Sequence, residues 1–92
     1  MIRVRGQLRC MTEADAAAVA CHVGDHVRLS RAEPGCITFD ISPTDDPMVW
    51  ELMEAFRTRA DFGAHQTRTR ASPWFEATRG AIRDFVVEEI GD

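Results

Sequence analysis

The side chains in this 92-residue chain that could do chemistry are three histidines, two tryptophans and a scatter of carboxylates and arginines. His65 stands three residues after Phe62, so the two share one face of a helix. A neutral imidazole in a dry pocket can take a proton from a phenolic hydroxyl near neutral pH. It can also be a structural group that hydrogen-bonds a strand side chain and fixes the helix. Glu54 sits on a strand face otherwise made of Trp50, Leu52 and Phe56. A buried carboxylate without a partner is costly, so His65 or an arginine should pair with it. Glu54 would then either orient His65 and raise its basicity or tie helix to sheet. Trp50, Trp74, Phe39, Phe62 and Phe75 can wall a flat aromatic pocket or fill the core. Arg68 and Arg70 closely follow His65. One of them can hold an anionic substrate or a developing oxyanion, and Arg70 or Gln7 is the candidate donor on that side.

Other groups carry weaker signals. His22 and His26 stand at i and i+4, a metal-binding spacing on a helix. No third ligand completes the set, and both are expected on a solvated flank. Cys36 follows Pro-Gly at a strand start with no adjacent base, which reads as a buried structural thiol. Asp45-Asp46-Pro47 lacks the spacing of a calcium loop. No metal site is expected.

Composition narrows the function classes. A chain of this length makes one domain, residues 1–92. There are 11 basic and 15 acidic residues, and the net charge is −4. Every basic residue is arginine, spread along the chain, so no patch for nucleic acid forms. The absence of lysine excludes Schiff-base chemistry and a Walker-type phosphate loop. There is no tyrosine to serve as acid or base. Three widely spaced cysteines are not a disulfide framework and suit a reduced cytoplasmic setting. No apolar run is long enough to span a membrane, and no signal-peptide segment is evident.

The elements that must position these groups follow from periodicity. The first ten residues alternate, with Ile2, Val4, Gly6, Leu8 and Cys10 on one side, which predicts a strand. Thr12-Glu13-Ala14-Asp15 starts a helix with a capping-box pattern, and Pro34-Gly35 follows its end. That helix, about Glu13–Ala32, should bury Ala16, Val19, Ala20, Val23, Val27 and Ser30. Strands follow at Cys36–Ile41 and Met48–Phe56, the latter apolar on both faces. A helix from near Thr58 places Phe62, His65, Gln66 and Thr69 together. Ser72-Pro73 starts a short helix to about Ala81, and Phe85–Ile90 is the last strand. The order βαββαβ is the α+β, ferredoxin-like arrangement. Its uncovered sheet face calls for a second copy of the chain.

One set of residues resembles a known family. Ser30-Arg31-Ala32-Glu33-Pro34-Gly35-Cys36, Phe39, Trp50-Glu51-Leu52-Met53-Glu54-Ala55-Phe56 and Ala64-His65 look like the antibiotic biosynthesis monooxygenase family, including its quinol-monooxygenase-like members. The similarity runs from Leu8 to Val87. It implies a homodimeric α+β barrel closed by the two sheets, with one pocket per subunit between sheet and helices. Members with known activities oxygenate polycyclic phenols or quinols without metal or flavin; others degrade haem or process small signalling molecules. The family histidine falls on His65 and the strand glutamate on Glu54. Phe39 replaces the usual tyrosine, and Arg68 or Arg70 stands where many relatives carry a second histidine.

The resemblance and the residues together point to an oxidoreductase: a cofactor-free monooxygenase joining O2 to a quinol or hydroxyarene, with His65 as base and Glu54 orienting it. Trp50, Trp74, Phe39 and Phe62 would hold the ring, with Arg70 or Gln7 at the anion. The alternative is a non-catalytic protein that binds a small aromatic ligand. A weaker third is a haem-degrading relative with His65 as axial ligand, although Gln7 would have to stand in for the asparagine of those proteins. The architecture predicts a homodimer through the sheet face. Light scattering should give twice the chain mass, and a monodisperse monomer at micromolar concentration would refute the barrel.

Overall fold

The chain runs β1 (Ile2–Arg9), α1 (Glu13–Arg31), β2 (Cys36–Pro43), β3 (Val49–Phe56), α2 (Arg59–Arg70), α3 (Pro73–Ala77) and β4 (Ile82–Glu89). A computed structural model describes residues 1–91. The strands form one antiparallel sheet in the order β2-β3-β1-β4. This is the expected ferredoxin-like fold, with the helices on one sheet face. Among the described residues no helix is long and apolar enough to cross a membrane.

Local chemistry fixes the helix starts. The Thr12 hydroxyl accepts the Asp15 N–H at 3.1 Å, and Asp15 Oδ2 accepts the Thr12 N–H at 3.2 Å. The Thr58 and Ser72 hydroxyls accept the Asp61 and Phe75 N–H groups at the starts of α2 and α3, with Pro73 in the first turn of α3. The short helix ends at Ala77 rather than Ala81, because Thr78 turns the chain. This lets β4 begin at Ile82, three residues before the expected start.

Strand alternation divides the sheet. Ile2, Val4 and Leu8 of β1, Phe39 of β2 and Leu52, Glu54 and Phe56 of β3 are buried on the helix side. The helix-facing stripe of α1 is rotated from the expected one. Val19, His26 and Ser30 are buried, whereas Ala20 is exposed. His26 follows Val19 by seven residues, which returns it to within about 20° of the same direction. The expected solvated flank is therefore wrong for His26.

The open sheet face is less apolar than the β3 sequence implied. Arg3 and Arg5 both reach Glu88, and Arg9 pairs with Asp84. Met53 and Val86 flank Arg5 in the register and are the exposed apolar groups at its centre. On the helix side no helix packs closely over β4. Val87 is 52% exposed there, although its neighbour Val4 is 2% exposed.

Gly6 is set by close approach. A Cβ at this position would lie 2.1 Å from the Asp84 carbonyl oxygen and 2.9 Å from Phe85 Cα, both backbone atoms of β4. Gly6→Ala is expected to cost about 1–3 kcal/mol by forcing β1 and β4 apart. Urea denaturation reads this directly, and a loss below about 0.5 kcal/mol would contradict the packing.

Candidate functional site

The site is built on Glu33, in the connection between α1 and β2. Its backbone is fixed by Glu33 N–H to Ser30 O at 3.1 Å and Cys36 N–H to Glu33 O at 3.2 Å. Gly35 takes a left-handed φ of 84°, and a Cβ there would meet the Asp61 carboxylate at 2.2 Å. Only glycine lets the first turn of α2 press this closely on the connection. The Glu33 side chain then meets α2 with both oxygens. Oε1 lies 2.6 Å from His65 Nδ1, and Oε2 accepts from Arg68 Nε at 2.5 Å. Arg68 also donates to the Ser30 hydroxyl at 2.9 Å.

This network assigns the His65 proton. A carboxylate already accepting from arginine has only lone pairs to offer, so Nδ1 carries the hydrogen. Nε2 is left without a hydrogen, as an acceptor. It lies 3.7 Å from Glu54 Oε1 and 3.4 Å from the Thr69 hydroxyl. Burial lowers the His65 pKa, only partly offset by the Glu33 hydrogen bond and charge, so the imidazole is neutral near pH 7.

Aromatic rings hold the imidazole in place. Phe56 and Phe39 lie 4.8 and 5.2 Å from it, centroid to centroid, and His26 lies at 5.9 Å. His26 stacks on Trp74 at 4.6 Å with planes 4° apart. Its Nδ1 is buried without a protein partner among the described residues. Burial, with the charges of His65, Arg68 and Arg83, lowers the His26 pKa to about 3. This ring is neutral at any physiological pH.

Glu54 is 5% exposed. Burial first, and the charge of Glu33 second, push its pKa up to about 8. Near neutrality it is mostly a carboxylic acid and can donate a hydrogen bond. Glu54, His65, Phe62, Trp74, Arg70 and Arg83 line one cavity of about 190 Å³, together with Val4, Leu8, Phe75 and Val87. Its mouth lies over the uncovered helix side of β4.

The structure gathers some expected residues and separates others. His65, Glu54, Phe62, Trp74 and Arg70 meet at the cavity, with Phe75. Phe39 packs behind the wall, against the His65 and His26 rings. Trp50 is half-buried against the neighbouring cluster of Leu8 and Val19 and does not line the cavity. Gln7 lies on the open sheet face, in a shallow depression with Arg5, Glu51 and Met53. Strand alternation sends position 7 away from Leu8, so Gln7 cannot serve this site. The orienting partner of His65 is Glu33 at Nδ1, and Glu54 faces the other nitrogen. His26 has left the polar flank for the cavity wall. Cys36 is half-buried, and burial raises its thiol pKa.

Sequence reasoning missed Glu33, His26 and Arg83. The heptad relation of His26 to Val19 was a usable signal. Arg83 alternates with Phe85 and Val87 and so faces inward with them. Glu33 had no local signal, because its role depends on how α2 docks.

Comparison with known proteins follows the same lines. The family model for antibiotic biosynthesis monooxygenases matches residues 1–79. No curated protein matches the chain. A Nitrosomonas europaea structure with a provisional antibiotic biosynthesis monooxygenase name is 23% identical, with TM-score 0.73 and coverage of 100% of this chain and 98% of its own. A similarly named Deinococcus radiodurans structure is 18% identical, with TM-score 0.74 and coverage of 100% and 94%. A Bacteroides thetaiotaomicron protein of unknown function is 18% identical, with TM-score 0.78 and coverage of 97% and 96%. At these identities the structural likeness speaks to fold alone, whereas the family match spans most of the sequence. The chain belongs to the antibiotic biosynthesis monooxygenase family.

Proposed function

We propose that this protein is a cofactor-independent monooxygenase of a small hydroxyarene or quinol, with His65 as the base. The observation that carries the reading is the fixed tautomer of His65. Glu33 holds Nδ1–H, and Nε2, the nitrogen without a hydrogen, meets only the Thr69 hydroxyl at 3.4 Å and the raised-pKa Glu54 at 3.7 Å beside a mostly apolar cavity. The carboxylate-imidazole arrangement resembles that of hydrolase triads, where the carboxylate holds the tautomer and stabilises the imidazolium. The cavity of about 190 Å³ is somewhat larger than one of about 150 Å³ that accepts benzene. That volume suits one or two rings.

The chemistry is balanced by substrate and O2 alone. His65 Nε2 accepts the hydroxyl proton, and the resulting anion passes one electron to O2. The radical pair combines, forming a C–O bond at a ring carbon. That carbon then loses its hydrogen as a proton, the O–O bond breaks, and the distal oxygen leaves as water after protonation by Glu54 or the imidazolium. One oxygen ends in the ring as a carbonyl and the other in water, so a naphthol yields a naphthoquinone. The substrate supplies all the electrons, and the apolar walls keep bulk water from the anion. A second copy of the chain seated on Met53 and Val86 would make the working homodimer. The three free cysteines fit a cytoplasmic setting.

Oxygen uptake by metal-stripped protein on a panel of hydroquinones and naphthols tests the reading. His65→Ala should lower the rate by about 10²-fold or more. Glu33→Gln, which keeps the imidazole but frees its tautomer, should lie between. Ligand binding without uptake above the protein-free rate would favour a non-catalytic aromatic-binding protein. Uptake unaffected by His65→Ala would discard the base.

The protonated state of Glu54 has its own test. Its folded pKa of about 8 lies above the ordinary 4.5. The stabilisation this brings is full below pH 4.5 and is lost as pH rises through 8. Chemical denaturation of wild type and Glu54→Gln across that window should show wild type losing a few kcal/mol relative to the variant. A pH-independent difference would mean that Glu54 is ionised in the folded protein.

A further inference from the structure

We infer that the cavity is built for an aromatic anion, a one- or two-ring hydroxyarene whose carboxylate lies opposite its hydroxyl and is held by Arg70 and Arg83. The hydroxyl's position at His65 rests on the proposed function; the grip on the anion does not.

The distribution of partners among the arginines carries the inference. Eight of the eleven, Arg3, Arg5, Arg9, Arg28, Arg31, Arg59, Arg68 and Arg79, pair with a carboxylate. Among the described residues Arg57, Arg70 and Arg83 do not. Two of these three line the same cavity. In a chain with net charge −4, two unpaired guanidinium groups at one apolar cavity are a specific placement.

Arg83 is rigidly held. Its Nη1 donates to the Thr78 carbonyl at 2.9 Å and its Nη2 to the Thr78 hydroxyl at 2.7 Å. The guanidinium lies 5.2 Å over the Phe75 ring. Its partners are neutral oxygens, and Nε–H is unused among the described residues. Arg70 ends α2 on the same cavity and is exposed, free to close on a ligand. A half-buried guanidinium without a counter-ion is partly desolvated, and an entering carboxylate restores the missing charge. The remaining titratable lining groups do not compete. His26 and His65 are neutral, and Glu54 retains its proton near pH 7.

Isothermal titration at pH 7 and low salt with 6-hydroxy-2-naphthoate, 6-hydroxy-2-naphthamide and 2-naphthol tests this. The carboxylate should bind at least tenfold more tightly than the amide of the same shape. Arg70→Ala should cut that preference at least threefold, and Arg83→Gln should abolish it. Circular dichroism checks that Arg83→Gln folds; if it does not, Arg70→Ala alone decides. Equal binding of acid and amide, a preference unchanged in Arg70→Ala, or no binding of the naphthoate at 1 mM would overturn the inference. Oxygen uptake on neutral quinols without an anion preference would leave the proposed function standing and remove this one. An anion preference without uptake would do the reverse.

Discussion

Glu33 is the group on which the site depends. One carboxylate at the end of α1 engages the two side chains that set the position of α2, His65 with one oxygen and Arg68 with the other. It therefore fixes a helix and a tautomer together. Neither partner could be replaced without leaving a charge or a lone pair stranded in a mostly buried place. The turn that carries Glu33 in turn requires Gly35, because any side chain there would strike Asp61 at the start of α2. Close helix docking, a left-handed turn and an oriented imidazole are one construction.

Burial does the rest of the electrostatic work. It raises the Glu54 pKa and lowers those of His26 and His65, so three titratable groups converge on their neutral forms. The guanidinium groups cannot follow, because arginine keeps its charge even when desolvated. The consequence is a cavity whose polar groups are neutral and whose remaining charge is positive. An oxidation that begins by making an organic anion is well served by that balance.

Much of this was legible in the sequence. Strand alternation, the capping residues at Thr12 and Ser72, and the Phe62-His65-Gln66-Thr69 face gave the architecture and the location of His65. Element ends were less legible: Arg83 and Asp84 hid the start of β4, because a strand that is apolar on alternate positions reads as polar where an arginine faces inward. The partner of His65 could not be read at all. Glu33 and His65 are 32 residues apart, and their meeting is a product of helix docking, which no local pattern encodes. Glu54 looked like the partner because it is the nearest carboxylate on an apolar face. Gln7 was misplaced for a simpler reason, since its neighbour Leu8 already claims the inward side.

The uncovered helix side of β4 bears on kinetics. Val87 stands half in solvent at the cavity mouth, so a ligand can reach His65 without displacing a helix. Association then needs no opening step, and its rate is set by diffusion, orientation and the shedding of water from the ligand. Departure is equally direct. Where a closing lid limits escape from many sites, no described helix packs over β4 to be moved before a ligand leaves this one.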